Sequence, residues 1–430
     1  MALNVLIFPA GSEIGLEILN SLKFSKLIHV FGGTSTKDHS SFVYENLIED
    51  IPFIDAPDFI QKFNAALLEY QIDFIYPAHD SVGLFLTQHL DELEAKVITS
   101  PLETVEICRS KKKTYEVFSD CEFVPVTFAS ADDITEYPIF VKPSVGQGSN
   151  GATKVHSREE LDFLISHGEE LVLCEYLQGE EYTIDCFTDK DGVLRVVRKR
   201  VRARIKSGIS VNSKKQECEP AIYEIAQEMN RRLTFSGAWF FQLKQNAQGE
   251  YRLLEISPRI PGTMGLSRNQ GINFPLLSIY VAQGMPVDVL PHDYDIEVDR
   301  AFINRYFISQ TYDTVYLDLD DTLVFQDRVN EWLMLYLYQL VNAGKRIVLL
   351  TKHNRDVHQT LSRHKISEKL FDKIIHLDPS EDKYQYVDDK NSIFIDDSFK
   401  ERKDIRSHCK INVFDLDEVE ALIDWKKMNF

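Results

Sequence analysis

An α/β architecture follows from three features of the chain: short apolar runs that end in acidic or glycine-rich turns, amphipathic stretches between those runs, and a central segment whose strands are joined by hairpins. The two ends read as doubly wound layers of parallel strands, and the middle reads as a mixed α+β domain.

The first layer opens with Asn4-Val5-Leu6-Ile7-Phe8, the turn Pro9 to Gly15, and an amphipathic stretch from Leu16 to Leu22. That is strand, glycine turn, helix. A second strand is expected at Leu27 to Phe31, ending in Gly32-Gly33, and a third at Phe74 to Tyr76, ending in Pro77-Ala78-His79-Asp80. The glycine spacing is not GxGxxG and no acidic residue closes the second strand, which argues against a nicotinamide dinucleotide. His79 and Asp80 at a strand end fit either substrate contact or a plain turn.

In the middle, Tyr137-Pro138-Ile139-Phe140-Val141-Lys142-Pro143 predicts a strand with an inward lysine, followed by a loop containing Gly146, Gly148, Ser149 and Gly151. Glycines let backbone N–H groups crowd phosphate oxygens while Lys142 supplies charge. The lysine precedes the glycines, so this is not a Walker A loop, and alone such a loop is more often structural than nucleotide-binding. A strand at Leu171 to Cys174 leads through Glu175-Tyr176-Leu177 to the acidic Glu180 and Glu181. Ala238 to Lys244 turns at Asn246 to Gly249 and returns as Tyr251 to Arg259, so Glu255 and Ser257 share a face. With Gln242 they make an oxygen set suited to magnesium against ATP phosphates; a hairpin with solvated charges is the alternative.

The most basic strip is Arg195, Arg198, Lys199, Arg200, Arg202, Arg204 and Lys206. Strand alternation puts Arg198, Arg200, Arg202 and Arg204 on one face, to meet ATP phosphates or an anionic substrate, with a solvated face as the competing account. No aromatic side chains interleave, which disfavours RNA. Pro261-Gly262-Thr263 could offer backbone donors to an acyl-phosphate oxygen.

Near the C-terminus an apolar strand runs into Asp318-Leu319-Asp320-Asp321-Thr322-Leu323. Carboxylates at i and i+2 point the same way off a strand end, as one nucleophile and one proton shuttle require. Like charges there are costly without a divalent cation, so magnesium is expected. Arg346 to Leu350 then ends in Thr351, Lys383 follows, and Ser392 to Ile395 closes in Asp396-Asp397. Attack, oxygen orientation, charge neutralisation and metal binding are what phosphoryl transfer to a carboxylate needs.

With 430 residues, 44% of them hydrophobic, the chain is long enough for two to four domains with large cores. Six cysteines without a CxxC pair, and no leader or long apolar run, predict free thiols and a cytoplasmic protein. The net charge of −19 argues against nucleic acid and anionic membranes as partners.

Residues 310–430 resemble the haloacid dehalogenase (HAD) superfamily over that whole length. The resemblance implies Asp318 as nucleophile, Asp320 as acid/base, Thr351 and Lys383 as phosphoryl ligands, and Asp318, Asp320, Asp396 and Asp397 at the magnesium end. Retaining Asp320 favours a phosphatase. The intervals between these motifs, each about thirty residues, are too short for an inserted cap, so the site is open or covered by the rest of the chain.

Residues 1–305 resemble the ATP-grasp superfamily, nearest its carbamoyl-phosphate synthetase and carboxylate–amine ligase branch, including a Rossmann-like layer ahead of the grasp. The resemblance implies Lys111 and Lys142 as ATP lysines, with the choice among Lys111, Lys112 and Lys113 open. It also implies Glu175, Tyr176 and Leu177 at the adenine hinge and Glu181 on ribose. Gln242, Glu255 and Ser257 would be metal ligands and Arg259 would lie near the transferred phosphoryl group; Arg200 and Arg204 join the nucleotide set. Ser110 stands where aspartate is common and Ser257 where asparagine is usual.

The expected organisation is a layer over 1–108, an ATP-grasp domain over 109–308 with its lid at about 120–185, and a HAD-like domain without a large cap over 309–430. The implied function is an ATP- and Mg2+-dependent (Mn2+ as alternative) carboxylate–amine ligase joined to a phosphatase. Its partners would be a small carboxylate, an amine and a phosphate monoester, with a homodimer open. A C-terminal unit that only docks a phospho-ligand, or an ATP-dependent carboxylase or kinase, is the alternative.

Overall fold

Val5, Leu6, Ile7 and Phe8 are all buried, so the first strand is covered on both faces, as a central parallel strand must be. The computed structural model describes residues 2–146, 148, 150–166, 170–206, 208–303 and 305–428. One unit ends at Phe302 and the second spans Ile303–Met428.

The first unit begins with β1 (Leu3–Phe8), α1 (Glu13–Leu22), β2 (Ile28–Gly33), β3 (Asn46–Ile48), α2 (Phe59–Glu69), β4 (Phe74–Pro77), α3 (Asp80–Gln88) and β5 (Lys96–Val97). The strands pair in parallel in the order β3-β2-β1-β4-β5. The order reverses at β1 and β4, where such sheets open a crevice beyond their strand ends. Alternate residues feed two cores: Val5 and Ile7 pack with Ile18 and Leu22 of α1, whereas Leu6 and Phe8 pack with Phe59 and Phe63 of α2.

After α4 (Leu102–Arg109) and α5 (Lys111–Val117) come β6 (Thr127–Phe128), β7 (Ile139–Pro143), β8 (Thr153–Val155), α6 (Arg158–Ile165) and β9 (Leu171–Glu175), whose strands form an antiparallel sheet in the order β6-β9-β7-β8. A larger antiparallel sheet follows, ordered β14-β13-β10-β11-β12-β15. Its strands are β10 (Glu181–Thr188), β11 (Leu194–Lys206), β12 (Ile209–Lys215), β13 (Gly237–Gln245), β14 (Tyr251–Ser257) and β15 (Glu297–Asp299), with α7 (Pro220–Arg232), α8 (Gly265–Asn269) and α9 (Phe274–Ala282) between them. The small sheet ends at Glu175, so the stretch from Glu181, expected within the lid, belongs to the large sheet. Ile279 of α9 shares a core with Val5 and Ile7, which ties the first layer to the large sheet.

The second unit contains β16 (Thr314–Leu317), β17 (Val324–Phe325), β18 (Arg328–Val329), α10 (Glu331–Asn342), β19 (Arg346–Thr351), α11 (Val357–Arg363), β20 (Lys373–His376), β21 (Ser392–Ile395), α12 (Phe399–Cys409) and β22 (Asn412–Phe414). Its sheet is parallel, ordered β20-β19-β16-β21-β22, and repeats the reversal of the first layer. Between β16 and β19 the chain makes only the β17–β18 hairpin and α10. Among the described residues no helix is long and apolar enough to cross a membrane, and all six cysteines are free.

Candidate active sites

A bulge in the β13–β14 hairpin organises the first site. Gln242 pairs with Glu255 and Leu243 with Leu253, leaving Leu254 as the extra residue. Its carbonyl, freed from the ladder, accepts from Lys142 Nζ at 3.1 Å and Tyr115 Oη at 3.0 Å. Lys142 Nζ also donates to Tyr115 Oη at 2.6 Å. Burial pushes the Lys142 amine down from its ordinary value, and no carboxylate forms a salt bridge with it among the described residues. A buried cation without an anionic partner is what an incoming phosphate would satisfy.

Around Lys142 lies a cavity whose walls include Phe140, Cys174, Tyr176, Leu177 and Leu254, with Glu175, Glu181, Gln242, Glu255 and Lys111 as polar members. The apolar part suits a purine and the polar part its ribose and phosphates. The chain at its back is fixed: Val126 N donates to Glu175 Oε1 and Glu175 N to Val126 O, both at 2.9 Å. Gly146 and Gly148 also line this cavity. Gly208 has φ +74°, and a Cβ there would come within 2.2 Å of the Gly148 backbone, so only glycine allows these two loops to meet. Ser149 lies outside the described residues, and Gly151 (φ +71°) is exposed and lines neither cavity.

Of the three lysines, Lys111 faces the cavities, while Lys112 pairs with Glu170 at the surface. The arginine strip requires correction. Arg200 is buried, forked onto Asp185 at 3.0 and 3.1 Å and bonded to Thr263 at 2.6 Å, and it lines neither cavity. Arg204 lies beyond a register shift in β11, exposed and paired with Asp299. Arg202 is the member that reaches this first cavity, bonded to Glu181 and, at 2.9 Å, to Gln242. Alternation put all three on one face; the bulge and the competing carboxylates decided which one faces the cavity.

A second cavity adjoins the first, sharing Lys111, Gly146, Gly148 and Glu255 with it. Here the reversal point of the first sheet meets the end of β14. Asp80 opens α3 directly after β4, and Arg259 Nε and Nη2 reach its two oxygens at 2.6 and 2.7 Å. Ser257 Oγ donates to the same carboxylate at 3.1 Å. Burial opposes ionisation of Asp80, yet the Arg259 charge, with Arg109 and Ser257, holds it well below the usual carboxylate range. Asp80 thus lines the second cavity as the ion-pair partner of Arg259. Of the predicted metal ligands, Glu255 lines both cavities, Gln242 lines the first and Ser257 the second. Glu255 and Gln242 are hard oxygen donors on paired positions, which fits a magnesium ion shared with phosphates.

The second unit brings its residues together at the same topological place. Asp318 follows β16, Thr351 ends β19 and Asp396 follows β21, the strands flanking the reversal. Lys383 Nζ is 2.6 Å from Asp396 Oδ2 and 2.9 Å from Asp318 Oδ1, but the second approach is not aligned as a hydrogen bond, so Asp318 Oδ1 is buried without a proper donor. Burial, resisted by Lys383 and reinforced by the Asp318 charge, pushes Asp396 up to about 7; burial pushes Asp318 up as well. Asp318, Asp396 and Asp397 each place an oxygen within 4.8 Å of the others. One lysine for three carboxylates, with an orphaned oxygen among them, fits a divalent cation.

Asp320 is not in that cluster, correcting its expected place as a side-chain metal ligand. Its carboxylate accepts from His353 Nδ1, 2.8 Å from both oxygens, and His353 Nε2 is 2.8 Å from Thr360 Oγ1 on α11. The sequence reading did not single out His353. Its only signal was its place two residues after Thr351, at the same strand end.

Residues 167–301 match the family described as "ATP-grasp in the biosynthetic pathway with Ter operon". The carbamoyl phosphate synthase large chain of Thermoanaerobacter sp. (strain X514) is 25% identical over 223 residues, 46% of this chain and 21% of that one. The chain thus spans about a fifth of the length of that relative. The biotin carboxylase of Campylobacter jejuni, solved with β,γ-ATP, superposes with a TM-score of 0.56 at 18% identity over 66% of this chain and 72% of that one. The L-amino acid ligase of Bacillus licheniformis gives 0.52 at 19% over 68% and 75%. These likenesses show an ATP-grasp fold, a class in which ligases and carboxylases both occur.

Proposed function

We propose that the first unit is an ADP-forming carboxylate–amine ligase and that the second is a phosphatase. The observation that carries the ligase reading is the pair of adjoining cavities with Lys111 and Glu255 on their common wall. The first has apolar walls beside Lys111 and Lys142, as ATP requires, and the second places Arg259, Arg109 and Lys111 next to it. The cofactors are ATP and Mg2+. When bound by Glu255 and Gln242, the metal would neutralise phosphate charge. A carboxylate oxygen attacks the γ-phosphorus, the bond to ADP breaks, and an acyl phosphate forms. The amine lone pair then adds to the acyl carbon, phosphate leaves with the C–O bonding electrons, and the amine proton passes to solvent. Lys142 and Arg259 hold phosphoryl charge, and the loop at Gly146 and Gly148 limits water.

In the second unit Asp318 attacks a phosphate monoester and Asp320 protonates the departing alkoxide. Asp320 then takes a proton from the water that attacks phosphorus, which releases phosphate and regenerates the Asp318 carboxylate. The magnesium held by Asp318, Asp396 and Asp397 would supply charge neutralisation. Fusion keeps the phosphatase at high local concentration beside the ligase's reactants, one of which, the amine, would carry the phosphate ester.

ADP release that depends on both a carboxylate and an amine tests the ligase. The likeness to carboxylases supports a second reading, in which bicarbonate takes the place of the organic carboxylate as the acid that is phosphorylated. Release driven by bicarbonate alone would establish that one instead.

A further inference from the structure

We infer that His79 is the base of the ligation step, taking the proton that the amine loses as it adds to the acyl phosphate. This rests on the ligase reading and gives that proton its first acceptor.

The amine reaches the acyl carbon from the side away from ATP, because Lys111, Glu255, Gly146 and Gly148 on the common wall mark the phosphoryl end. That side is the second cavity. His79 lines it from the corner between β4 and α3, partly buried, and its ring does not cap the helix it precedes. Among the described residues, every other titratable group in this lining is already committed. Asp80 is held in the Arg259 fork, well below the usual carboxylate range. Burial pushes the Tyr76 phenol and the Cys108 thiol up, so both keep their protons near neutral pH. Glu255 is the proposed metal ligand, Arg109 and Arg259 are permanent cations, and Lys111, lowered by burial, recovers its proton beside phosphate. Around His79 stand Asp80 on α3, Arg259 after β14 and Arg109 on α4. Burial lowers its pKa; Asp80 opposes that and the two arginines reinforce it. The imidazole is therefore neutral at pH 7, as a general base must be. In the step, the amine lone pair forms the C–N bond and a lone pair of the imidazole takes the proton from that nitrogen. The C–O bond to phosphate breaks with its electrons on phosphate, and the imidazolium then gives its proton to solvent.

The test uses the full chain with Mg-ATP, the carboxylates acetate, succinate, alanine and glutamate, and the amines ammonia, methylamine and glycine. Without amine, reversible acyl-phosphate formation scrambles an oxygen label between the β,γ-bridge and the β-nonbridging positions of ATP; with amine, the amide is followed by mass. His79→Ala should keep the label exchange and lose amide formation by a factor of about 100 or more. Added imidazole should restore part of the loss, and more basic imidazoles at equal free-base concentration should restore more. Wild-type amide formation should fall as His79 protonates, at a pH below the ordinary imidazole value, and His79→Ala should lack that limb. Equal loss of exchange and amide formation in a folded variant, unchanged amide formation, or rescue by no imidazole overturns the role of His79 and leaves the ligase intact. Absence of both label exchange and ADP release with every acid in the wild type overturns the ligase reading itself. If His79→Ala fails to fold, His79→Gln is read for the same split between exchange and amide.

Discussion

Arg259 forks across both carboxylate oxygens of Asp80, joining the reversal point of the first parallel sheet to the end of β14, 179 residues away in sequence. The pair is about one-fifth exposed on each side. Arg259→Ala should therefore cost about 3 kcal/mol, because it strands a desolvated carboxylate, and should abolish ADP release. Asp80 is held below its ordinary value, so its contribution to stability is present above the usual carboxylate range and is lost as pH falls through the lowered value. Thermal melts from pH 7 down into strongly acidic buffer should show this acid loss in the wild type and a smaller one in Asp80→Asn. Equal acid sensitivity would refute it.

Lys142 sits buried with its amine depressed. ATP phosphates should raise it again, so nucleotide binding should take up a proton at a pH between the lowered value and that of a free lysine. Calorimetry in buffers of different ionisation heat measures the uptake directly. Lys142→Met should remove its share and weaken ATP binding by about 1.5–3 kcal/mol. Unchanged affinity together with a large fall in melting temperature would assign Lys142 to packing alone.

The two chemistries should separate by mutation. Asp318→Asn should remove phosphatase turnover and leave amine-dependent ADP formation near normal; Glu255→Ala should do the reverse. Loss of both activities in one folded variant would contradict the assignment of one site to each unit.

His353 should act as a positioning residue for Asp320. Its Nδ1 holds the carboxylate, and Thr360 fixes the ring from the other side. His353→Ala should lower kcat by up to about a hundredfold, with little change in KM, and more for alkyl than for aryl phosphates, because poor leaving groups need the proton most. His353→Asn, with a donor near the Nδ1 position, should recover part of the loss. An equal fall for both ester classes would indicate a merely structural role.

The parallel layers were legible because each buried strand announces itself as an apolar run that stops at an acidic residue: Asp80 after β4, Asp318 after β16, Asp396 after β21. The glycine loop and the Glu255 hairpin were legible for the same local reason. Arg200, Arg202 and Arg204 were not resolvable, since alternation assigns a face but cannot foresee the β11 register shift or the carboxylates Asp185, Glu181 and Asp299 that claim them. His353 was missed because its partner Asp320 lies 33 residues away.

By itself, then, the sequence determined the strands marked by apolar runs, such as β1, β2, β4, β16, β19 and β21, and the chemical types that follow them, because those depend on hydrophobic period and backbone freedom over a few residues. Only the tertiary structure decided which charges meet. It placed Asp80 against Arg259, freed the Leu254 carbonyl for Lys142, and turned Asp320 toward His353 rather than into the carboxylate cluster. Electrostatic partners are fixed by distances of a few ångströms between segments remote in the chain, and no local pattern encodes those distances.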